Sequence, residues 1–254
     1  MEIIITIWLG LIGAIMGSFL GCMGYRIPNK IKTTYPSSFC ASCRKPLKWY
    51  MNIPIFSYIF LGGRCKYCKR KIGFIYFLNE LLGCALFMLN YMFFKFTMPF
   101  FILTIITCML LVTMVSDFKY YYISDRVLII SLIAGLITFI VFDRSLLIER
   151  FISALVLFLF MYGVKILGNS MFNAESLGDG DIKLMAVLAL LIGWLDSFIA
   201  LVFAAILGLI YSLIVLYKNK DHMIPFGPFL IMGAYIVVFF SQYIDPYIKM
   251  LFAL

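Results

Sequence analysis

Apolar residues along this chain come in long runs rather than in short alternating segments. Eight runs stand out, at approximately 3–25, 75–94, 99–116, 126–142, 149–167, 182–195, 197–217 and 227–244, with short polar or Pro/Gly turns between them. A helix needs about 20 apolar residues to cross a hydrocarbon core of about 30 Å, so the pattern predicts an all-α polytopic membrane protein of about eight transmembrane helices. The first run is not a cleavable signal, because residues 1–9 lack a basic segment and the run simply continues. Only one connection is long. The expected organisation is a first transmembrane helix at 1–25, a loop at 26–74 and a seven-helix core at 75–254, with no internal repeat.

Composition agrees. The chain is 64% hydrophobic and 13% charged, where soluble domains are about half apolar and about a quarter charged. Charge then orients the spans. Of the 21 basic residues, all but Lys95, Arg144, Arg150 and Lys249 fall on the side of the long loop when the spans alternate. Basic residues stay in the cytoplasm, so that loop is cytoplasmic and both termini lie outside. The net charge of +9 follows from this asymmetry and suits anionic headgroups; it requires no nucleic acid.

The long loop holds two C-x-x-C pairs, Cys40/Cys43 and Cys65/Cys68. Each tight turn brings two thiolates to one side of an ion, which is a tetrahedral metal signature. Basic residues without a single Asp or Glu in the loop offset the charge of four thiolates. A structural Zn²⁺ in a zinc-ribbon-like loop is the expectation. Two disulfides would need an oxidising side, and a redox thiol pair would need a thioredoxin-like setting. Cys22, Cys84 and Cys108 stand alone in spans and read as packing residues.

Asp117 closes the third run and Asp181 opens the sixth. Both belong to the cytoplasmic membrane edge, where an ionisable side chain is a candidate for function. A helix C-terminus disfavours an anion at Asp117, whereas free N–H groups at an N-terminus favour one at Asp181. Two carboxyls treated so differently can form an acid/base pair, one activating water while the other polarises a carbonyl. Residues 182–195 span only about 21 Å, which places Asp181 below the cytoplasmic surface. Gly178 and Gly180 allow positive φ and the close approach of another backbone, as an extended substrate peptide beside the carboxylate would need. The competing reading of "GDGD" is an ordinary turn with Asp181 as N-cap. Asp125 is placed to N-cap the fourth span. Asp179 reads as a solvated or supporting carboxylate, and Glu80 as a partner for a basic loop residue or an orienter of the site. Glu2, Asp143, Glu149, Asp196 and Asp245 read as outer turn residues. The lone His222 reads as surface, leaving no Ser–His or metallohydrolase set.

These motifs resemble the type IV prepilin peptidases, membrane aspartic proteases of the GxGD class. "GSFLGCMGYRIP", the paired cysteines with "NIPIFSYIFLGGRCKYCKRKI", "YFLNELLG" around Glu80, "SDFKYYYISDRV", "GDGDIKLMA" and "IPFGPFLIMGAYI" follow in the family's order. Gly21 stands where the family has Asn, Ala41 where proline commonly follows the first cysteine, and Ser124 where it has proline. The resemblance implies a bacterial cytoplasmic-membrane endopeptidase that removes the leader of prepilin or pseudopilin precursors on the cytoplasmic side. Asp117 and Asp181 would be its catalytic pair, with Gly178, Gly180 and Lys183 in support. It further implies N-methylation of the new terminus from S-adenosylmethionine. A presenilin-like protease is the rival among enzymes, and no P-A-L element is found in the last spans. A catalytically silent scaffold or transporter with a zinc-stapled loop is the rival outside them.

Overall fold

The structure is a computed structural model and describes residues 1–33, 35–172, 177–218 and 224–241; Glu175, Lys220, Asp221, His222, Asp245 and Lys249 lie outside the described residues. Its helices are α1 (Glu2–Arg26), α2 (Phe56–Phe60), α3 (Phe74–Phe94), α4 (Met98–Tyr120), α5 (Asp125–Phe142), α6 (Leu147–Phe172), α7 (Asp179–Ile192), α8 (Trp194–Lys218) and α9 (Gly227–Phe239). Among the described residues, six stretches, Glu2–Arg26, Phe74–Phe94, Met98–Tyr120, Asp125–Phe142, Arg144–Met171 and Trp194–Val215, are long and apolar enough to cross a membrane. The sixth and eighth expected spans fall on α7 and α9, which at 14 and 13 residues are shorter than those six.

The chain forms two compact units, 1–100 with 110–122, and 101–109 with 123–254. In the first, α1 lies against α3 with Gly10, Gly13, Ala14, Gly17, Gly21 and Gly24 buried on one face. Ile3, Ile4, Ile7, Leu11, Ile15 and Phe19 are exposed on the others. The two backbones touch: a Cβ on Gly13 or on Gly83 would collide with the other's carbonyl oxygen, and one on Gly17 would stand 2.5 Å from the Asn79 carbonyl oxygen. Small residues at this spacing are how helices pack when lipid supplies no hydrophobic drive. Asn79, fully buried, adds polar glue by donating from Nδ2 to the carbonyls of Gly17 (3.2 Å) and Leu111 (2.8 Å).

The second unit is organised around α7, which packs against α5, α6, α8 and α9. From Val187 to Ile192 every side chain is buried, as are Ile182, Leu184 and Met185. A helix apolar all round belongs in an interior. It begins three residues earlier than the apolar run, because Asp179 and Asp181 in its first turn suit the positive end of the macrodipole. It stops at Gly193, whose φ of +96° is open to glycine and strained for other residues. α8 starts at the next residue. Arg150 lies against Gly193 where a Cβ would be and stacks over the Phe139 ring at 5.7 Å.

Candidate functional site

In the first unit, Asp117 sits in the last turn of α4, at 5% exposure, beside buried Val115 and Ser116. The helix continues to Tyr120 and ends where Tyr121 turns left-handed, its N–H returning to the Asp117 carbonyl at 3.0 Å. The last turns of α4 are held by α1: a Cβ on Gly24 would meet the Val112 carbonyl oxygen at 2.6 Å and the Val115 Cβ at 2.8 Å. Nearby, Lys119 donates to the Tyr76 hydroxyl at 3.1 Å and stands 4.2 Å over that ring's centroid.

In the second unit, Asp181 is the third residue of α7, half-buried. Gly178 occupies the cap position, in extended conformation at φ −71°, and accepts from the Asp181 N–H at 3.1 Å. This corrects two expectations. Asp181 is not the N-cap, and neither Gly178 nor Gly180 adopts positive φ. What both glycines supply is room. A Cβ on Gly178 would come within 3.1 Å of Asp181 Oδ2, and one on Gly180 within 3.0 Å of the Ile123 Cβ. Gly178 keeps space beside the carboxylate, and Gly180 lets the start of the α5 segment close against α7.

The neighbouring charges are paired. Lys165 donates to Asp179 at 2.5 Å, and that hydrogen bond, with the lysine's charge, holds the exposed Asp179 carboxyl below the usual range. Lys183 donates to Asp125 at 2.8 Å. Asp125 therefore does not N-cap α5. The helix begins at Asp125 itself, Ser124 takes the cap position, and the carboxylate is spent on Lys183. Each pair joins helix ends that alternating spans place on one side, as does Glu2 with Lys95 at 2.9 Å.

The loop of the first unit brings the four cysteines together. Their Sγ atoms all lie within 4.8 Å of one another, and Cys40 and Cys68 are 3.9 Å apart. Sulfurs around a zinc at about 2.3 Å would be about 3.8 Å apart, so the cluster can hold a metal ion. Both pairs fold into the same knuckle. The Cys40 N–H donates to the Lys45 carbonyl and the Cys40 carbonyl accepts the Arg44 N–H, and Cys65 repeats the pattern with Arg70 and Lys69. Arg44 and Lys69 carry the matching positive φ, 60° and 59°. The thiols are unequal. Burial raises Cys40, but hydrogen bonds from the Cys43 and Ser42 backbone and from neighbouring thiols prevail and lower it to about 7. At Cys43 a backbone hydrogen bond from Lys45 is outweighed by burial and by Cys40 and Cys68, which push it up to about 11.

Glu80 does not pair with a basic residue. Its Oε2 accepts the Ile55 N–H at 2.6 Å, fixing the entry to α2 where Ile55 has φ +64°. Sequence reasoning passed over Arg26, 3% exposed, which donates to the carbonyls of Lys32, Thr33, Pro36 and Ser37. It also passed over Asn79. The signal was present, since each lies inside a quoted motif, "GYRIP" and "YFLNELLG". A cavity of about 710 Å³ opens in this unit, lined among others by Cys22, Tyr25, Tyr76, Glu80 and Lys119.

Residues 11–94 match the bacterial peptidase A24 N-terminal domain and residues 104–213 match the type IV leader peptidase family. A prepilin leader peptidase/N-methyltransferase of Klebsiella pneumoniae is 31% identical, covering 74% of this chain and 85% of the relative. Proteins of the same name from Bacillus subtilis and Pseudomonas aeruginosa are each 28% identical, over 94% and 92% of this chain and 96% and 90% of their own. No solved structure matches. With both domains matched in order along one chain, and Gly178 of the GxGD element keeping space beside Asp181, the protein belongs to the type IV leader peptidase family.

Proposed function

We propose that this protein is a membrane aspartic endopeptidase that removes the leader of prepilin or pseudopilin precursors at the cytoplasmic face of the bacterial membrane, and that it N-methylates the terminus so exposed. Asp117 and Asp181 are the catalytic pair. One carboxylate takes a proton from water, the hydroxyl attacks the scissile carbonyl, and the protonated partner donates to the carbonyl oxygen, giving a diol; the C–N bond then breaks as the first carboxyl gives its proton to the leaving amine and the partner regains one from a diol hydroxyl. Asp181 at a helix N-terminus, with Gly178 keeping its flank bare, is the observation that carries this reading. Gly180, Lys183, Asp125 and Asp179 support it by fixing the first turn of α7. Glu80 supports the first unit. The distribution of basic residues supports the cytoplasmic orientation.

The four cysteines suit Zn²⁺, which supplies structure because four thiolates leave no open coordination position. S-adenosylmethionine, when bound, would supply the methyl group. The 710 Å³ cavity fits a ligand of that size, with the Tyr25 ring for a sulfonium cation and Lys119 for a carboxylate.

The test is mass spectrometry of a prepilin incubated with membranes holding this protein and S-adenosylmethionine. Loss of the leader, abolished by Asp117→Asn and by Asp181→Asn, supports the peptidase, and a gain of one methyl supports the second activity. An intact precursor with folded wild-type protein overturns the reading in favour of a silent scaffold.

A further inference from the structure

The peptidase reading leaves one conspicuous surface of the first unit unused. Trp49 is 80% exposed, and on the single turn of α2, Phe56, Ile59 and Phe60 are 56, 59 and 84% exposed. These three lie at i, i+3 and i+4, so they share one face. Ile53 is exposed as well. The opposite side of α2 is anchored: Tyr58 stacks on Phe77 of α3 at 4.8 Å, and the Ile55 N–H reaches Glu80 of α3. The apolar face is therefore a fixed feature of a folded lobe.

Those anchors also set its height. Phe77 and Glu80 lie three and six residues into α3, whose membrane-crossing stretch starts at Phe74. At about 1.5 Å per residue that is about 5–9 Å along the helix. An element tied there is folded down beside the first turns of a spanning helix. That offset matches the range over which interfacial aromatics are buried, about 5–10 Å into the boundary between headgroups and acyl chains. Around it the lobe is uniformly cationic. Lys48, Arg64, Lys66, Lys69, Arg70 and Lys71 surround the apolar residues in sequence, and residues 26–74 contain no Asp or Glu.

We propose that the segment 49–60 is an interfacial foot, seated in the anionic leaflet of the protein's own membrane, with Trp49, Phe56, Ile59 and Phe60 among the upper acyl chains and the lobe's lysines and arginines on lipid phosphates. Charge selects this occupant. A surface of this composition repels a basic peptide, and a neutral protein partner would leave the cations without counterparts. Each basic residue near an anionic surface contributes about 1 kcal/mol. The foot holds the four-cysteine lobe against the bilayer. It does not depend on the peptidase reading.

Trp49 is itself the probe. The full-length protein carrying Trp8→Phe and Trp194→Phe, reconstituted at one chain per nanodisc, leaves Trp49 as the sole indole. In discs containing phosphatidylglycerol, lipids brominated near the headgroup end of the acyl chain should quench it at least twofold, and aqueous iodide should quench it weakly. Replacing phosphatidylglycerol by phosphatidylcholine should reduce the bromolipid quenching. The Phe56→Ser/Phe60→Ser variant should do the same while keeping its zinc content. Strong iodide quenching without bromolipid quenching in anionic discs overturns the proposal. So does a Trp49 shielded only when two chains share a disc, which would assign the surface to a second copy of the chain, or only when another protein is added.

Discussion

The two units bury helices by opposite means. In the first, α1 and α3 meet backbone to backbone across Gly13, Gly17 and Gly83, with Asn79 bonding between them. In the second, α7 is wrapped by the side chains of four neighbours and its own are almost wholly buried. The first arrangement is intolerant of added atoms, the second of removed ones. Each unit nevertheless carries one of the two proposed catalytic aspartates near a helix end: Asp117 in the last turn of a 23-residue helix, Asp181 in the first turn of a 14-residue one. Two contrasting scaffolds thus each offer one carboxyl to a single proposed reaction.

The sharpest way to break that contrast is at the aspartates. If both serve one step, Asp117→Asn and Asp181→Asn should each lower leader cleavage by about 10³-fold, within the range of acid–base catalysis. The double variant should be no worse than either single one, because residues acting as a unit are not additive. Additive losses in single-turnover cleavage would mean two separate roles.

Alanine then probes the packing in both directions. Leu188→Ala, at a fully buried position of α7, should cost about 2–5 kcal/mol through the cavity it leaves. Gly83→Ala adds one carbon against the Gly13 carbonyl and should cost about 1–3 kcal/mol. Gly163→Ala, with open space around it in α6, should be neutral or stabilise by about 0.5–1 kcal/mol. Melting midpoints in one detergent check all three, and a harmless Gly83→Ala would refute backbone contact between α1 and α3.

Smaller effects are expected at the surface pairs. Lys183→Met should cost less than about 1 kcal/mol, since Lys183 and Asp125 are half exposed; a larger drop in cleavage than in stability would mark a role in the site. The Asp179 carboxyl, held low by Lys165, lends a slight stability that is present above the ordinary carboxylate pKa of about 3.9 and fades as pH falls through its lower folded value. Asp179→Asn should flatten that part of the pH–stability curve.

Much of the fold was legible because lipid imposes length and polarity on every span. The α3 and α5 runs were placed to within one residue. The Cys40, Cys43, Cys65 and Cys68 set was legible for a similar reason, since short spacing forces thiols together. The start of α7 was misjudged because hydropathy ranks Asp179 and Asp181 as turn residues, while a helix N-terminus accepts acids. Asp125 was misread because its partner, Lys183, is 58 residues away, beyond any local capping rule. Glu80 likewise met a backbone N–H from a distant loop. The roles of Gly178 and Gly180 were half seen. Close approach was among the readings, but the approaching groups are the chain's own Asp181 carboxylate and Ile123.

Gly193 gives α7 a mechanical character. No loop separates α7 from α8, so the inner helix cannot slide or rock along its axis without dragging its successor. The lever from this joint to Asp181 is 12 residues of rigid helix, about 18 Å, and Arg150 braces its far end. The carboxylate is thus held in place from the opposite end of its helix. A residue with ordinary backbone preferences at 193 would re-aim a group it never touches.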